Sequence, residues 1–405
     1  MTERGLAPTK DSADTVVVGA GVVGGAIAHL LAKAGQRVVI LEGDSVGSGS
    51  SGHGHGVVSL IGKDFRPGPH FELGCIGAEI YPNYVAELIE DSGLDPMYHR
   101  LPSLALAIID EEERIFREQF ELHKDRLELR WIDGDECRML EPRITEDARG
   151  AVLYEHGQVD GYRLSLATAR AVEQLGGRLE MRKLVGLMSE GDRVVGVQHA
   201  GGQIACETVV LAMGAWVREA EAWIGWPIPV RPLHGEVLNV RLPGPRVRAF
   251  ILTARHGPIL QRKDGILLVG SLGGVTMSGM DVDAKHVFDP HDTSPPVFDL
   301  AAHEENGKFM IERALRVMPA LEEADLVAHL AGVRPLSADR MPIIGPVPSM
   351  RGVIIATGHG TKGIHLAPIT GRMVAEMILN GRDLAGVPTD AFSPSRFQPA
   401  VGIGA

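Results

Sequence analysis

Three glycines and one acid are spaced to hold the phosphates and ribose of a dinucleotide. Gly19-Ala20-Gly21-Val22-Val23-Gly24 follows the apolar run Thr15 to Val18 and opens a helical pattern. Gly19 permits a tight turn, Gly21 lets the backbone approach a pyrophosphate, and Gly24 lets the helix pack closely on its strand. Unsatisfied N–H groups at the helix start face the phosphates. Glu42 closes the next apolar run, Arg37 to Leu41, where an acid can accept both hydroxyls of an adenosine ribose. Three further stretches can reach the rest of a long ligand. Gly43 to Gly56 (GDSVGSGSSGHGHG) has the composition of a linker, but it leaves the second strand of the nucleotide unit, and Ser50 and Ser51 offer hydroxyls there. Thr208 to Trp216 reads either as a core strand or as one that brings Gly214 back to the ligand. Gly358-His359-Gly360-Thr361-Lys362-Gly363 is a second glycine turn between a strand and a helix start.

Holding these stretches together takes a parallel sheet with helices on both faces. The chain has 405 residues and 44% hydrophobic content, enough for a large core and two domains. Forty basic and fifty-two acidic residues give a net charge of −12, which argues against a nucleic-acid or membrane-surface role. The polar start MTERGLAPTKDSAD reads as a loose tail, and no apolar stretch is long enough to span a bilayer. Cys75, Cys137 and Cys206 are isolated, which fits a reducing cytoplasm. The sixteen histidines show no metal-ligand spacing, so no metal is expected.

Periodicity predicts a helix from Phe71 to Ser92 with Pro82 inside it, a strand from Leu104 to Ile109, and a charged helix from Asp110 to Glu121. Asp133 and Asp160 read as caps of the helices that follow them. Leu184 to Met188 and Val194 to His199 read as a hairpin. From Ile228 to Ser271 the runs alternate and are broken by Pro and Gly, as in an antiparallel sheet. Asp281 to Ala301 reads as an irregular insertion, with His286, His291 and, just beyond it, His303 as solvated residues. Leu326 to Arg334 is expected to return to the parallel sheet, and the chain beyond Arg382 to wrap the surface.

Several of these pieces resemble the FAD-dependent D-amino-acid oxidase family, which includes glycine oxidase, sarcosine oxidase and D-amino-acid dehydrogenase. They are VVVGAGVVGGAIAHLLAKAGQRVVILE, SSGHGHGVV, HGQVDGYRL, VVLAMGAWV, PVRPLHGEVLNV, GVRPLSADRMPIIG and GVIIATGHGTKGIHLAPITGRMVAEMI. The resemblance implies an α/β fold: a Rossmann-type FAD-binding domain from 13–90, 150–225 and 326–385, and a mostly antiparallel-sheet substrate domain from 91–149 and 226–325. Residues 1–12 and 386–405 are tails. It also implies roles. Val23 joins the glycine turn; Ser50, Ser51, Gly54, His55, Gly56 and Val57 lie along the flavin and pyrophosphate. Val185 contacts adenine through its backbone, and Gly214 sits by the pyrophosphate or ribityl chain. The turn begun by Gly358 presents the N–H groups of Gly360, Thr361, Lys362 and Gly363 to the N1–C2=O edge of the isoalloxazine.

The implied reaction is dehydrogenation of a small amino acid at its C–N bond, with hydride passing to flavin N5 and the imine hydrolysing in water. Oxygen or another electron acceptor completes the cycle, and homo-oligomer formation stays open. Arg334 in Gly332-Val333-Arg334-Pro335 resembles the family's carboxylate-binding arginine; the competing reading pairs it with an acid such as Asp339. Where family oxidases often carry a tyrosine, this chain has Pro258, so amine positioning falls to His256, Gln261 or His234. His53 stands where some relatives attach the flavin covalently, and also where the non-covalent SGRNAG pattern has its arginine; the second reading is preferred. No cysteine follows Cys206, which excludes the cysteinyl flavin link of the sarcosine-oxidase type. Two alternatives are a 2-hydroxy-acid dehydrogenase and a flavin subunit of a multi-subunit electron-transfer dehydrogenase.

Overall fold

The computed structural model describes residues 11–62, 67–271 and 286–398. Strand β1 (Thr15–Val18), helix α1 (Val22–Lys33) and strand β2 (Val38–Leu41) form the expected nucleotide unit. Both strands are buried at every residue, as in a sheet covered on two faces. After β3 (Val57–Val58), α2 (Pro69–Ser92) runs through Pro82, followed by β4 (His99–Ala107), α3 (Asp110–His123), β5 (Arg130–Asp133) and α4 (Gly134–Leu140). Then come β6 (Gly150–Gln158), α5 (Gly161–Gln174), β7 (Arg178–Glu180), β8 (Leu184–Glu190), β9 (Arg193–His199), β10 (Gly202–Ala205) and β11 (Thr208–Leu211). A 3₁₀ turn at Gly214–Ala220 leads through α6 (Glu221–Ile224) to β12 (Val230–Arg241), β13 (Phe250–Leu252), β14 (Pro258–Gln261) and β15 (Leu267–Val269). The chain closes with α7 (Glu304–Val317), β16 (Asp325–Ser337), β17 (Ile343–Pro346), β18 (Val353–Thr357) and α8 (Gly363–Asn380).

Among the described residues these strands build two large sheets. One has the order β17-β18-β11-β1-β2-β7, parallel except for β17. The other runs β16-β12-β15-β14-β13-β4-β6-β3, with β5 also on β6, and is antiparallel except where β13 meets β4. A small sheet, β10-β9-β8, holds the hairpin. Thr208–Leu211 thus returns to the nucleotide sheet, beside β1. The caps are as read: Asp133 and Glu136 form a reciprocal capping box, and Asp160 accepts from the Arg163 N–H at 2.9 Å.

Two expectations need correction. Leu326 to Arg334 does not rejoin the parallel sheet, because β16 pairs along its length with β12 in the antiparallel one. Its first half is exposed or half-buried, which suits an edge strand and not a strand covered on both faces. The C-terminal tail does more than wrap the surface. Phe392 and Phe397 are buried in the core, and Arg396 bonds both Asp339 oxygens at 2.7 and 3.1 Å. Of the insertion, residues 281–285 lie outside the described residues; 286–301 are irregular, as expected.

Candidate active site

The glycine turn sits where the motif requires it. Gly19 has φ +109°, and a Cβ there would lie 2.4 Å from the Ala212 carbonyl oxygen. A Cβ on Gly24 would lie 2.1 Å from Gly19 O, so helix α1 packs directly on the turn. Glu42 accepts the Ala20 N–H through Oε2 and the Asp44 N–H through Oε1, each at 2.8 Å. Its carboxylate is therefore oriented before any ligand arrives. Ser51 is placed on the start of α1, where its Oγ accepts the Val22 N–H at 3.1 Å.

A cavity of 1660 Å³ begins at this turn and continues to Arg334. That exceeds the roughly 300–1,000 Å³ of a pocket for one drug-sized ligand and matches a dinucleotide with a substrate at its far end. Gly19, Gly21, Val23, Glu42, Ser50, Ser51, His53, Gly54, His55, Gly56 and Val57 all line it, as do Gly214, Gly360, Thr361, Lys362 and Gly363. Gly24 and Gly358 stand behind this wall as packing residues. Val185 is exposed and not in the lining; its neighbours Lys183 and Leu184 are. The β8–β9 register skips from Leu184 to Gly186, which leaves Val185 in a bulge.

At the far end, Arg334 lies on β16 opposite Leu233, and its Nη2 donates to Ser271 Oγ at 3.2 Å. The guanidinium crosses Gly235 of β12, where a Cβ would come within 2.4 Å of Nη1. Asp339 is paired with Arg396 through both carboxylate oxygens. His55 lies nearby. Burial, and then the Arg334 charge, pushes its pKa down to about 4, so the ring is neutral at physiological pH.

None of the three residues considered for amine positioning lines the cavity. His256 turns its Nδ1 to the buried carboxylate of Glu112 at 3.1 Å. Gln261 accepts from the Val247 N–H and donates to Gly265 O, both at 2.8 Å, so its amide is committed to a turn. His234 faces Glu236 and the Asp299 carbonyl. Pro258 is in the lining, on the wall where the tyrosine was missed, together with Leu252 and Thr253.

Sequence reading passed over two lining residues. Trp216 stacks on Phe298 with centroids 5.0 Å apart and borders the Ser50 loop. Arg340 has φ +62°, a conformation uncommon for a residue with a side chain, in the turn after β16. Both stood inside quoted pieces, Trp216 in VVLAMGAWV and Arg340 in GVRPLSADRMPIIG, and neither carried a signal beyond its type.

These residues fit an FAD. The cleft has an oriented acid at one end, glycines whose Cβ atoms would fill it, and two helix starts, Val22 and Gly363, along its length. Known proteins agree. The chain is 29% identical over 394 residues to a glycine oxidase of Geobacillus kaustophilus, covering 96% of this chain and 98% of that one. It is also 29% identical to the hydrogen cyanide synthase subunit HcnC of Pseudomonas aeruginosa, covering 95% and 96%. The solved structure of a Geobacillus kaustophilus glycine oxidase superposes with a TM-score of 0.85 at 27% identity, covering 97% of this chain and 100% of that one. A family profile described as FAD dependent oxidoreductase (DAO) matches residues 14–377, and the chain belongs to that family of FAD-dependent enzymes.

Proposed function

We propose that this enzyme oxidises the C–N bond of a small amino acid of the glycine, sarcosine or D-amino-acid type, and that Arg334 binds the substrate carboxylate. The observation that carries the reading is the placement of Arg334: inside the cavity, tethered to Ser271, beside a neutral His55. A planar guanidinium makes two parallel charge-assisted hydrogen bonds to a carboxylate and so sets the orientation of the α-carbon. Held neutral, His55 adds no second positive charge beside Arg334. The Gly360–Gly363 turn brings the N-terminal end of α8 to the cavity, and a helix start stabilises negative charge. When bound, the flavin supplies the two-electron acceptor. Buried Cys137 and Cys206 are free thiols, each pushed up to about 12 by burial, and so are unreactive. No helix among the described residues is long and apolar enough to cross a membrane.

Anaerobic bleaching of the flavin by a panel of amino and 2-hydroxy acids tests the substrate class; bleaching by hydroxy acids alone would overturn it. The likeness to a cyanide-synthase subunit favours a second reading, in which electrons pass to a partner and not to oxygen. Turnover with an artificial dye but not with oxygen supports that reading.

Two site predictions follow from the geometry. In Gly235→Ala the new methyl meets the mobile end of Arg334, so the guanidinium shifts while the strands stay paired. We expect kcat/KM to fall about 10- to 100-fold, with flavin content and melting temperature little changed. Unchanged kinetics would mean that the crossing does not position Arg334. His53 donates through Nδ1 to Gly49 O at 2.9 Å and lines the cavity. We expect acid precipitation to leave the yellow colour in the supernatant; colour in the pellet would mean a histidyl bond.

A further inference from the structure

The insertion histidine His303 and the strand residues His234 and Glu236 are far apart in the chain, and no sequence spacing joins them. The fold does. His234 and Glu236 are two apart on β12 and share a face, and His329 sits diagonally across on β16. His303 stands at the start of α7. One donor atom from each of His234, Glu236 and His303 lies within 4.8 Å of the others.

Hydrogen-bond accounting does not close here with neutral rings. His234 Nδ1 is 2.9 Å from the Asp299 carbonyl oxygen and Nε2 is 2.7 Å from Glu236 Oε1. Both neighbours are acceptors, and a neutral imidazole donates through one nitrogen only. The second contact therefore needs another ring proton, or a cation for which nitrogen and oxygen would move apart to about 3.3 Å. His329 Nε2 stands 2.6 Å from Glu236 Oε2, yet it makes no aligned hydrogen bond to it. The Glu236 side chain is fully buried, and His234, the Asn306 amide and the His303 backbone N–H all stand against its oxygens. Imidazole nitrogens converging on one buried carboxylate are the donor set of zinc and its neighbours, not of magnesium or calcium. His234 Nδ1 on Asp299 O and His303 Nε2 on Asp299 Oδ2 at 2.8 Å are the outer contacts that orient metal-bound histidines.

We propose that His234, Glu236 and His303, with His329 alongside, form a zinc-type divalent cation site that ties the segment 298–303 to the β12–β16 pair. That segment supplies Leu300 to the cavity wall and Phe298 to the stack on Trp216. The ion would thus fasten one rim of the flavin cavity without touching the reacting atoms.

The test uses untagged, flavin-loaded protein, stripped with chelator and titrated with zinc chloride alone by calorimetry, with metal content and melting temperature as further readouts. We expect one zinc per chain and a rise in melting temperature on zinc addition. In His303→Ala, whose side chain is 37% exposed and outside the core, affinity should fall at least about tenfold. Glu236→Gln should lose the site. Failure of the native protein to bind zinc, or binding that His303→Ala leaves unchanged, overturns the proposal.

Discussion

Arg334→Ala is expected to lower kcat/KM by at least about two powers of ten, roughly 3 kcal/mol, with FAD retained. The guanidinium is tethered at Ser271 Oγ and lies across Gly235, so its position is set before substrate arrives. Losing it removes both the charge and the two-point grip that fixes orientation, and the loss should appear in kcat as well as in KM. Arg334→Lys keeps the charge without the planar fork and should recover only part of the loss. Gly235→Ala serves as an internal control: combined with Arg334→Ala it should add almost nothing, because its effect passes through the missing side chain. The reading fails if Arg334→Ala reduces its flavin at the normal rate and half-saturation.

The fold should weaken steeply between pH 6.5 and 5. His156, His359 and His365 are buried, and burial above all pushes each pKa down to about 3, with His99, His70 and Lys362 respectively adding to the shift. Unfolded, each would titrate near 6.5. Below that pH the unfolded chain takes up protons that the folded chain refuses, so stability is present above 6.5 and lost as pH falls toward 3. Three such groups give a slope of roughly 4 kcal/mol per pH unit at most. Carboxylates held low by arginines, such as Asp192 beside Arg351, add their loss only at lower pH. Urea unfolding of the flavin-loaded protein at half-unit steps measures the slope; a flat line from pH 7 to 5 would refute the argument.

The nucleotide end of the cleft was legible because the backbone itself restricts residue type there. Gly19 at φ +109° and Gly24 against a carbonyl admit no side chain, so glycine spacing reports geometry directly. The substrate end was less so, because strand pairing decides which way a side chain points. Gln261 looks like a polar residue beside the site, yet Val247 and Gly265 draw its amide into a turn. His256 is claimed by Glu112, an acid from a distant helix whose burial no local pattern announces. Leu326 to Arg334 misled for the same reason: its apolar content suggested a covered strand, and only the long pairing with β12 shows it at a sheet edge.

The order β17-β18-β11-β1-β2-β7 also bears on how the chain is made. Strand β1 leaves the ribosome early, but its neighbour β11 begins at Thr208 and the next strand, β18, ends at Thr357. During synthesis the β1–β2 pair therefore waits with both edges open until β7 and β11 are made, and the outer edge of β11 then waits for β18. The turn that closes the cavity, Gly360–Gly363, comes later still. Nascent chains should bind flavin only once the Gly360–Gly363 turn is made, and a chain stopped before residue 350 should expose the β11 edge and aggregate, whatever its first half contains.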